Sequence, residues 1–219
     1  MPKDSITPNL LLQAYASGVF PMADHRDDAD LFWIDPEERG IIPLDGFHIP
    51  RKLAKCIRKE TFEVRANTAF REVVRACSAP AHGRDTTWIS ERIERLYTEL
   101  HNMGFAHSIE CWQAEQLVGG LYGVSLGGVF FGESMFHTVT DASKVALVHL
   151  VAHLRHSGFR LLDTQFITGH LRQFGAIEIP RTEYHELLSN ALKSLDVRFQ
   201  RMPRSISGVE VLQLITQTS

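Results

Sequence analysis

Several features that mark particular protein classes are scarce or missing in this sequence of 219 residues. Its three cysteines, Cys56, Cys77 and Cys111, are too far apart for a CxxC metal site and too few for a disulfide framework. We therefore expect reduced thiols, which are usual in the cytoplasm. No apolar run approaches the roughly 18 residues of a membrane-spanning helix, and the first ten residues lack the regions of a signal peptide. The sequence predicts a cytoplasmic protein without a membrane segment.

Common catalytic motifs are missing as well. His149, His153 and His156 share one face of a predicted helix, but no HExxH glutamate accompanies them. The opposite face is apolar, which predicts that the three histidines face solvent. The segment Gly132-Glu133-Ser134-Met135-Phe136 lacks the final glycine of a nucleophile elbow, and no Gly-Lys-Ser/Thr of a P-loop follows the glycines at 119–123. We expect neither a metal nor a cofactor.

The charge is unevenly distributed along the chain. The whole sequence has a net charge of −3, but residues 1–50 sum to −6 and residues 51–84 to +6. Placed on a helix over 51–59, the basic side chains fall on one side and apolar ones on the other. That basic face is either a phosphate-backbone contact or a solvated surface. Its members are Arg51, Lys52, Lys55, Arg58 and Lys59, with Arg71, Arg75 and Arg84 as a possible extension.

Hydrophobic residues make up 44% of the chain, an ordinary value for a globular protein. The apolar pattern predicts a small N-terminal α/β domain over residues 1–60 and a larger domain over 61–219. From about residue 60, strands at 107–112, 116–124 and 128–136 are followed by helix 141–156 and strand 159–166. The order indicates an α+β fold with antiparallel strands, since a regular βαβα series is missing. A Gly127-Gly128 pair predicts a hairpin between two of the strands.

Polar residues interrupt two apolar strands. Strand alternation places Asp163 and Gln165 on the same side of strand 159–166, and Glu133 follows the apolar run at 129–132. Buried polar groups need partners, so these residues either bond a neighbouring loop or form a site.

The combination of short motifs resembles one protein family. Tyr15-Ala16-Ser17-Gly18-Val19-Phe20-Pro21 is similar to its Y-x-x-G-x-F-P signature. In order follow the motifs H-S-x-E-x-W at 107–112, G-G-L-Y-G at 119–123, G-E-S-M-F at 132–136 and D-x-Q at 163–165. From about residue 10 to 195, the chain resembles the leucyl/phenylalanyl-tRNA–protein transferases. It departs from them at Phe32-Trp33, where the family often has two tryptophans, and over residues 35–40.

The resemblance implies a fold and a reaction. The fold would be a small N-terminal domain and an acetyltransferase-like (GNAT-like) domain, with a mostly antiparallel sheet flanked by helices. The enzyme would move Leu, Phe or, less well, Met from aminoacyl-tRNA to proteins that begin with Arg or Lys, which marks them for degradation under the N-end rule. The segment at 172–177 departs from the pyrophosphate loop of acetyltransferases at Ile177, which fits a tRNA donor better than acetyl-CoA.

The resemblance also implies residue roles. Gln165 would position the amine and the carbonyl, Asp163 would orient Gln165 and help accept or relay the proton, and Glu133 would hold the donor α-amine. Proton passage through the substrate's ribose hydroxyl stays an alternative. Trp33 would stack on the terminal adenosine, and the basic face would contact the acceptor stem. The apolar donor pocket would be formed by Trp88, Phe130, Met135, Leu147 and Leu162.

Two other functions are compatible with the residues. One is an acetyl-CoA-dependent N-acetyltransferase, and the other is a non-enzymatic tRNA-binding module that rests on the basic face alone. The sequence leaves the donor preference, the proton path and the oligomeric state open; a monomer is favoured.

Overall fold

A computed structural model describes residues 6–22, 32–79, 89–199 and 206–216. The helices are α1 (Pro8–Ala16), α2 (Arg51–Arg58), α3 (Phe70–Ser78), α4 (Glu91–Asn102), α5 (Ala142–His156), α6 (Gly169–Arg172), α7 (Arg181–Leu192) and α8 (Gly208–Thr216). The strands are β1 (Phe20–Met22), β2 (Phe32–Ile34), β3 (Glu38–Ile42), β4 (Glu63–Ala66), β5 (Ala106–Gln113), β6 (Gln116–Leu126), β7 (Val129–His137), β8 (Leu161–Gln165) and β9 (Ile177–Pro180).

Seven strands form one large sheet in the order β4-β5-β6-β7-β8-β3-β9. Its neighbouring strands run antiparallel except β7 and β8, which are parallel. This confirms the mixed α/β architecture with a mostly antiparallel sheet and flanking helices. Strands β1 and β2 form a separate antiparallel pair; the sequence predicts only an apolar turn where β1 lies.

Strand β3 connects the two parts of the chain. It comes from the segment before residue 60, yet it pairs with β8 on one side and β9 on the other. The large sheet therefore contains residues from both sides of the predicted boundary, and the division at residue 60 stays a prediction.

Local sequence signals explain several elements. The Ser90 hydroxyl accepts a hydrogen bond from the backbone N–H of Ile93 at 3.3 Å and caps α4. Serine is a preferred N-cap residue because its side-chain oxygen can accept such a bond. Gly127 has a φ of +54° at the β6–β7 turn, a backbone conformation that glycine adopts readily. The turn confirms the predicted hairpin at Gly127-Gly128.

Glu110, the acidic residue of the H-S-x-E-x-W motif, stabilises the start of α3. Its carboxylate is fully buried and accepts the backbone N–H groups of Thr68 and Ala69, both at 2.9 Å, and the Ser108 hydroxyl at 2.7 Å. A carboxylate is favourable at a helix N-terminus, where backbone N–H groups lack helical partners. The motif therefore has a structural function here.

The histidines of α5 correct one prediction. The helix packs on several sides, and His153 is 1% exposed with its ring stacked on Phe199 at 4.0 Å. Burial lowers the pKa of both His149 and His153 to about 4, because a charged imidazole loses solvation there. The prediction that these histidines face solvent is wrong for His153, since the chain after α7 returns to cover that side. Across the described residues, no helix combines the length and apolarity needed to cross a membrane.

Candidate active site

A buried ion pair lies at the junction of β3 and β8. Arg39 Nε and Nη2 donate to the two carboxylate oxygens of Asp163 at 3.0 and 2.6 Å, and the two side chains are 1% and 0% exposed. The Tyr184 hydroxyl donates to Asp163 Oδ2 at 2.7 Å, and the backbone N–H of Gln165 donates to Oδ1 at 2.8 Å. Each carboxylate oxygen therefore accepts two hydrogen bonds, and the charge is fully compensated.

The Y-x-x-G-x-F-P segment supports Arg39. The carbonyl oxygen of Gly18 accepts from Arg39 Nη1 at 3.0 Å. The guanidinium carbon lies 4.5 Å from the ring centroid of Phe20 and 4.4 Å from that of Tyr184, where aromatic faces attract a cation. Gly18 has a φ of +85°, and a Cβ there would lie 2.5 Å from His185 Cε1. The left-handed φ favours glycine at position 18, and the signature thus supplies both a carbonyl oxygen and an aromatic face to Arg39.

The ion pair holds Gln165 in an uncommon conformation. Gln165 has a φ of +56°, which costs a non-glycine residue about 1 kcal/mol or more. Its pairing partner on the neighbouring strand β3 is Gly40. A Cβ atom at position 40 would lie 2.9 Å from the carbonyl carbon of Phe166. The bond to Asp163 and this close approach over Gly40 fix the backbone, so the position of Gln165 depends on both strands.

Glu133 forms a second polar cluster with two tyrosines. Tyr15 donates to Glu133 Oε1 at 2.5 Å and Tyr97 to Oε2 at 2.8 Å, and the two hydroxyl oxygens lie 2.5 Å apart. Burial raises the pKa of Glu133 to about 7, although both tyrosine hydroxyls act in the opposite direction. The carboxyl group is therefore partly protonated near neutral pH.

Glu133 and Gln165 both line one cavity of about 380 Å³, a size typical of small-molecule sites. Its apolar lining includes Met135, Leu147 and Leu162. The cavity also has polar atoms without a hydrogen-bond partner in the described part of the chain: Thr164 Oγ1, Gln165 Nε2 and His170 Nε2. Buried polar groups are normally paired, so each of these atoms has unused hydrogen-bonding capacity at the cavity wall.

Two family models match the chain. The leucyl/phenylalanyl-tRNA protein transferase model covers residues 41–189, and the model of that family's N-terminal domain covers residues 4–37. The chain belongs to the leucyl/phenylalanyl-tRNA–protein transferase family.

Curated relatives carry the same name. The leucyl/phenylalanyl-tRNA–protein transferase of Phenylobacterium zucineum is 59% identical over 214 residues, which are 95% of this chain and 96% of that protein. That of Rhodospirillum rubrum is 61% identical over 189 residues, 86% of this chain and 89% of that protein. A solved structure of a functionally unknown conserved protein from Staphylococcus epidermidis is 12% identical, with a TM-score of 0.42, and covers 81% of this chain and 66% of its own.

Within this family member, the structure brings together only some of the predicted site residues. Glu133, Gln165, Met135, Leu147 and Leu162 line the same cavity. Asp163 lies behind Gln165, with both oxygens bound by other groups. The ring of Phe130 packs in the core against Phe159 and Phe199. Trp33 lies on β2, opposite Pro21 of the cavity-lining strand β1, and is 40% exposed. Trp88 and Arg84 lie outside the described residues.

The basic face of this transferase forms on α2. Its apolar side is buried through Leu53, Ala54 and Ile57, and all five predicted basic residues of the segment are exposed: Arg51, Lys52, Lys55, Arg58 and Lys59. Arg71 and Arg75 are also exposed, but both donate to Glu94 Oε1, at 2.8 and 2.9 Å. Their positive charge is therefore partly compensated, unlike the arrangement that the sequence predicts.

Several residues of the site were not predicted. Arg39 and Tyr184 hold Asp163, Tyr15 and Tyr97 hold Glu133, and His170 faces the cavity. Tyr15 lies within the Y-x-x-G-x-F-P motif, so its position in that motif is a usable signal. Arg39 stands in a segment where the chain departs from the family pattern, and no periodicity there indicates a buried arginine.

Proposed function

We propose that this protein transfers leucine or phenylalanine, and methionine less well, from aminoacyl-tRNA to the α-amine of proteins that begin with Arg or Lys. Family membership makes it an aminoacyltransferase that uses tRNA as donor and protein as acceptor. The product would be a degradation signal under the N-end rule. The observation that carries this choice of donor is the cavity in which apolar walls from Met135, Leu147 and Leu162 meet the free amide of Gln165.

The reaction is aminolysis of an ester. The acceptor nitrogen attacks the ester carbonyl carbon, the carbon–oxygen bond to the ribose breaks, and an amide bond forms. An α-amine has a pKa of roughly 7.7–8.0, so part of it is neutral at pH 7 without any base. The amine loses one proton and the ribose oxygen gains one, so no metal, cofactor or ATP is required.

Gln165 positions the reacting groups. Its Nε2 donates to the carbonyl oxygen as negative charge develops, as donors in an oxyanion hole do. An amide is not a useful base, so the proton reaches the ribose oxygen through the substrate's own hydroxyl or through water. Asp163 acts as a positioning residue, because its four hydrogen bonds leave no free lone pair directed at the cavity.

Glu133 binds the donor amino acid. Its carboxyl group lies at the cavity wall between Tyr15 and Tyr97. A carboxyl oxygen accepts a hydrogen bond from the α-amino group of the aminoacyl ester. The hydrophobic walls then select the side chain by size and contact. Met135, Leu147 and Leu162 would contact Leu and Phe; Phe130 supports the cavity from the core, and Trp88 would close it.

The tRNA body binds outside the cavity. Trp33 stacks on the terminal adenosine, since an exposed ring can add about 1–3 kcal/mol to the binding of a base. The exposed cations of α2 contact the acceptor-stem phosphates, while Arg71 and Arg75 contribute less because of Glu94. Arg84 would extend this surface.

We also assign the fold to the acetyltransferase-like (GNAT-like) group with a small N-terminal domain, on the basis of the mixed sheet and its single parallel pair β7–β8. An aminoacylated tRNA donor and the free thiols of Cys56 and Cys111 favour the cytoplasm as the site of the reaction. We expect a monomer.

A transfer assay tests the proposed function. Labelled leucine on tRNA is offered with a peptide that begins with Arg and, as control, with the same peptide beginning with Ala. Label should enter only the Arg peptide, and treatment of the donor with RNase should abolish transfer. Equal labelling of both peptides, or none with intact charged tRNA and folded protein, would contradict the proposal.

A further inference from the structure

Helix α8 lies beyond both family-model matches, which end at residues 37 and 189. It packs against α5 and against the inner side of α2, with Val211 fully buried and Ile215 6% exposed. Its contact with α2 makes it relevant to the basic face, although it has no charged surface of its own apart from Glu210.

The start of α8 is fixed against the end of α2. The backbone N–H of Gly208 donates to Glu60 Oε1 at 3.0 Å, two residues after α2 ends. A Cβ at position 208 would lie 2.1 Å from the carbonyl oxygen of Ile57, which is closer than real Cβ atoms approach. Any side chain at 208 must therefore push the two helices apart.

The other end of α8 is tied to the core. Arg155, at the end of α5, donates from Nη1 to the carbonyl oxygens of Ile215 at 2.9 Å and Leu44 at 3.1 Å. Leu44 belongs to the segment that leads into α2. The guanidinium thus links α5, α8 and the approach to the basic helix.

Helix α2 needs such support. It has eight residues, no acidic residue in its first turn, and Pro50 at its N-cap without a side-chain hydrogen bond. Helices of this length are marginal alone, and its like charges at i and i+4, such as Arg51 and Lys55, repel one another. Its stability must come from the packing of Leu53 and Ile57 on α5 and α8.

We propose that α8 is a brace that holds the basic helix α2 in the orientation that binds tRNA. The inference rests on the proposed tRNA contact of α2. It assigns α8 to donor binding and not to the chemistry in the cavity, which is lined by a different part of α5 through Leu147 and Leu150.

The test compares two donors in the full-length protein. Gly208→Ala is the perturbation, and Val209→Ala, an exposed neighbour in the same turn, is the matched control. One donor is leucyl-tRNA, and the other is leucyl-adenosine, which has the reactive ester and the adenosine but no acceptor stem. The measurements are KM and kcat on both donors and the Kd for leucyl-tRNA.

For Gly208→Ala we expect KM and Kd for leucyl-tRNA to rise at least fivefold, with kcat and all leucyl-adenosine kinetics within twofold of the wild type. Val209→Ala should behave as the wild type. Unchanged leucyl-tRNA binding in a folded variant, or an equal loss on both donors, would overturn the brace. Absence of transfer from either donor in the wild type would instead refute the proposed function.

A second variant keeps the test decisive if Gly208→Ala does not fold. Val211→Ala shortens a fully buried side chain of α8 without changing any charge. It weakens the packing of α8 on the core without a steric clash against α2. It should raise KM for leucyl-tRNA about threefold and leave leucyl-adenosine kinetics within twofold of the wild type; no rise in KM for leucyl-tRNA in the folded variant would contradict the brace. Equal effects on both donors would again overturn the brace.

Discussion

The buried pair of Arg39 and Asp163 allows a test that separates positioning from proton transfer. Arg39→Met leaves a buried carboxylate without its counter-ion, and Asp163→Asn leaves a buried guanidinium. Removing one partner of a buried ion pair costs about 3–5 kcal/mol. At about 2–4 °C per kcal/mol for a chain of this size, each single variant should lower Tm by about 6–20 °C.

The double variant Arg39→Met/Asp163→Asn removes both charges. Its amide keeps one oxygen for the N–H of Gln165 and offers an N–H group to the Tyr184 hydroxyl, so few buried groups lose their partners. We expect at least half of the lost Tm to return, because neutral buried pairs have no uncompensated charge. Each single variant should lose about 100-fold in kcat, as a misplaced catalytic group can, and the double variant should recover to within about tenfold of the wild type.

Thermal unfolding and single-turnover transfer of leucine to an Arg-first peptide measure the two quantities. A double variant that is stable but as inactive as Asp163→Asn would refute the positioning role, since the carboxylate itself would then be needed. A double variant as unstable as the single variants would refute the coupling of the two charges.

Three further outcomes follow from the site and the basic face. Because the folded state raises the pKa of Glu133 from 4.5 to about 7, wild-type stability should fall as pH rises through that interval. In urea unfolding at pH 5 and 8, Glu133→Gln should reduce this fall by roughly 2–3 kcal/mol, and an unchanged difference between the two pH values would contradict the shift. Met135→Ala enlarges the cavity and should raise the Phe-to-Leu ratio of kcat/KM about fivefold. Phe159→Leu, in the core and outside the cavity lining, should leave that ratio unchanged, and equal ratios in the two variants would contradict the pocket. Lys55→Ala should reduce the log–log salt slope of tRNA binding by about one, and Arg75→Ala, whose guanidinium already bonds a carboxylate, by less; the reverse order would place the tRNA elsewhere.

Short sequence motifs predict much of this site. Glu133 and Gln165 stand out in the sequence as polar residues in apolar strands, and both line the cavity with Met135. Strand alternation also places Asp163 and Gln165 on the same side of the strand. It cannot show that both carboxylate oxygens of Asp163 are bound by Arg39. That pairing depends on β3, which comes from a distant part of the chain and lies between β8 and β9.

Other features depend on contacts that no local pattern reveals. Arg39 looks like a surface residue among Glu37 and Glu38, and only the sheet order buries it. The histidines of α5 follow a helical period, but that period assumes one solvent face, whereas Phe199 covers His153. Long-range packing therefore decides these cases, while the sequence pattern correctly predicts the central strands and the bounds of α5.

Single-turnover transfer of labelled leucine from tRNA to an Arg-first peptide by Gln165→Ala, with leucyl-tRNA binding measured in parallel, tests directly whether the reaction takes place in this cavity. We expect a loss of about 100-fold or more in the rate of transfer, with unchanged tRNA affinity and a folded protein. Wild-type turnover in folded Gln165→Ala would contradict the assignment of this cavity as the site of the reaction.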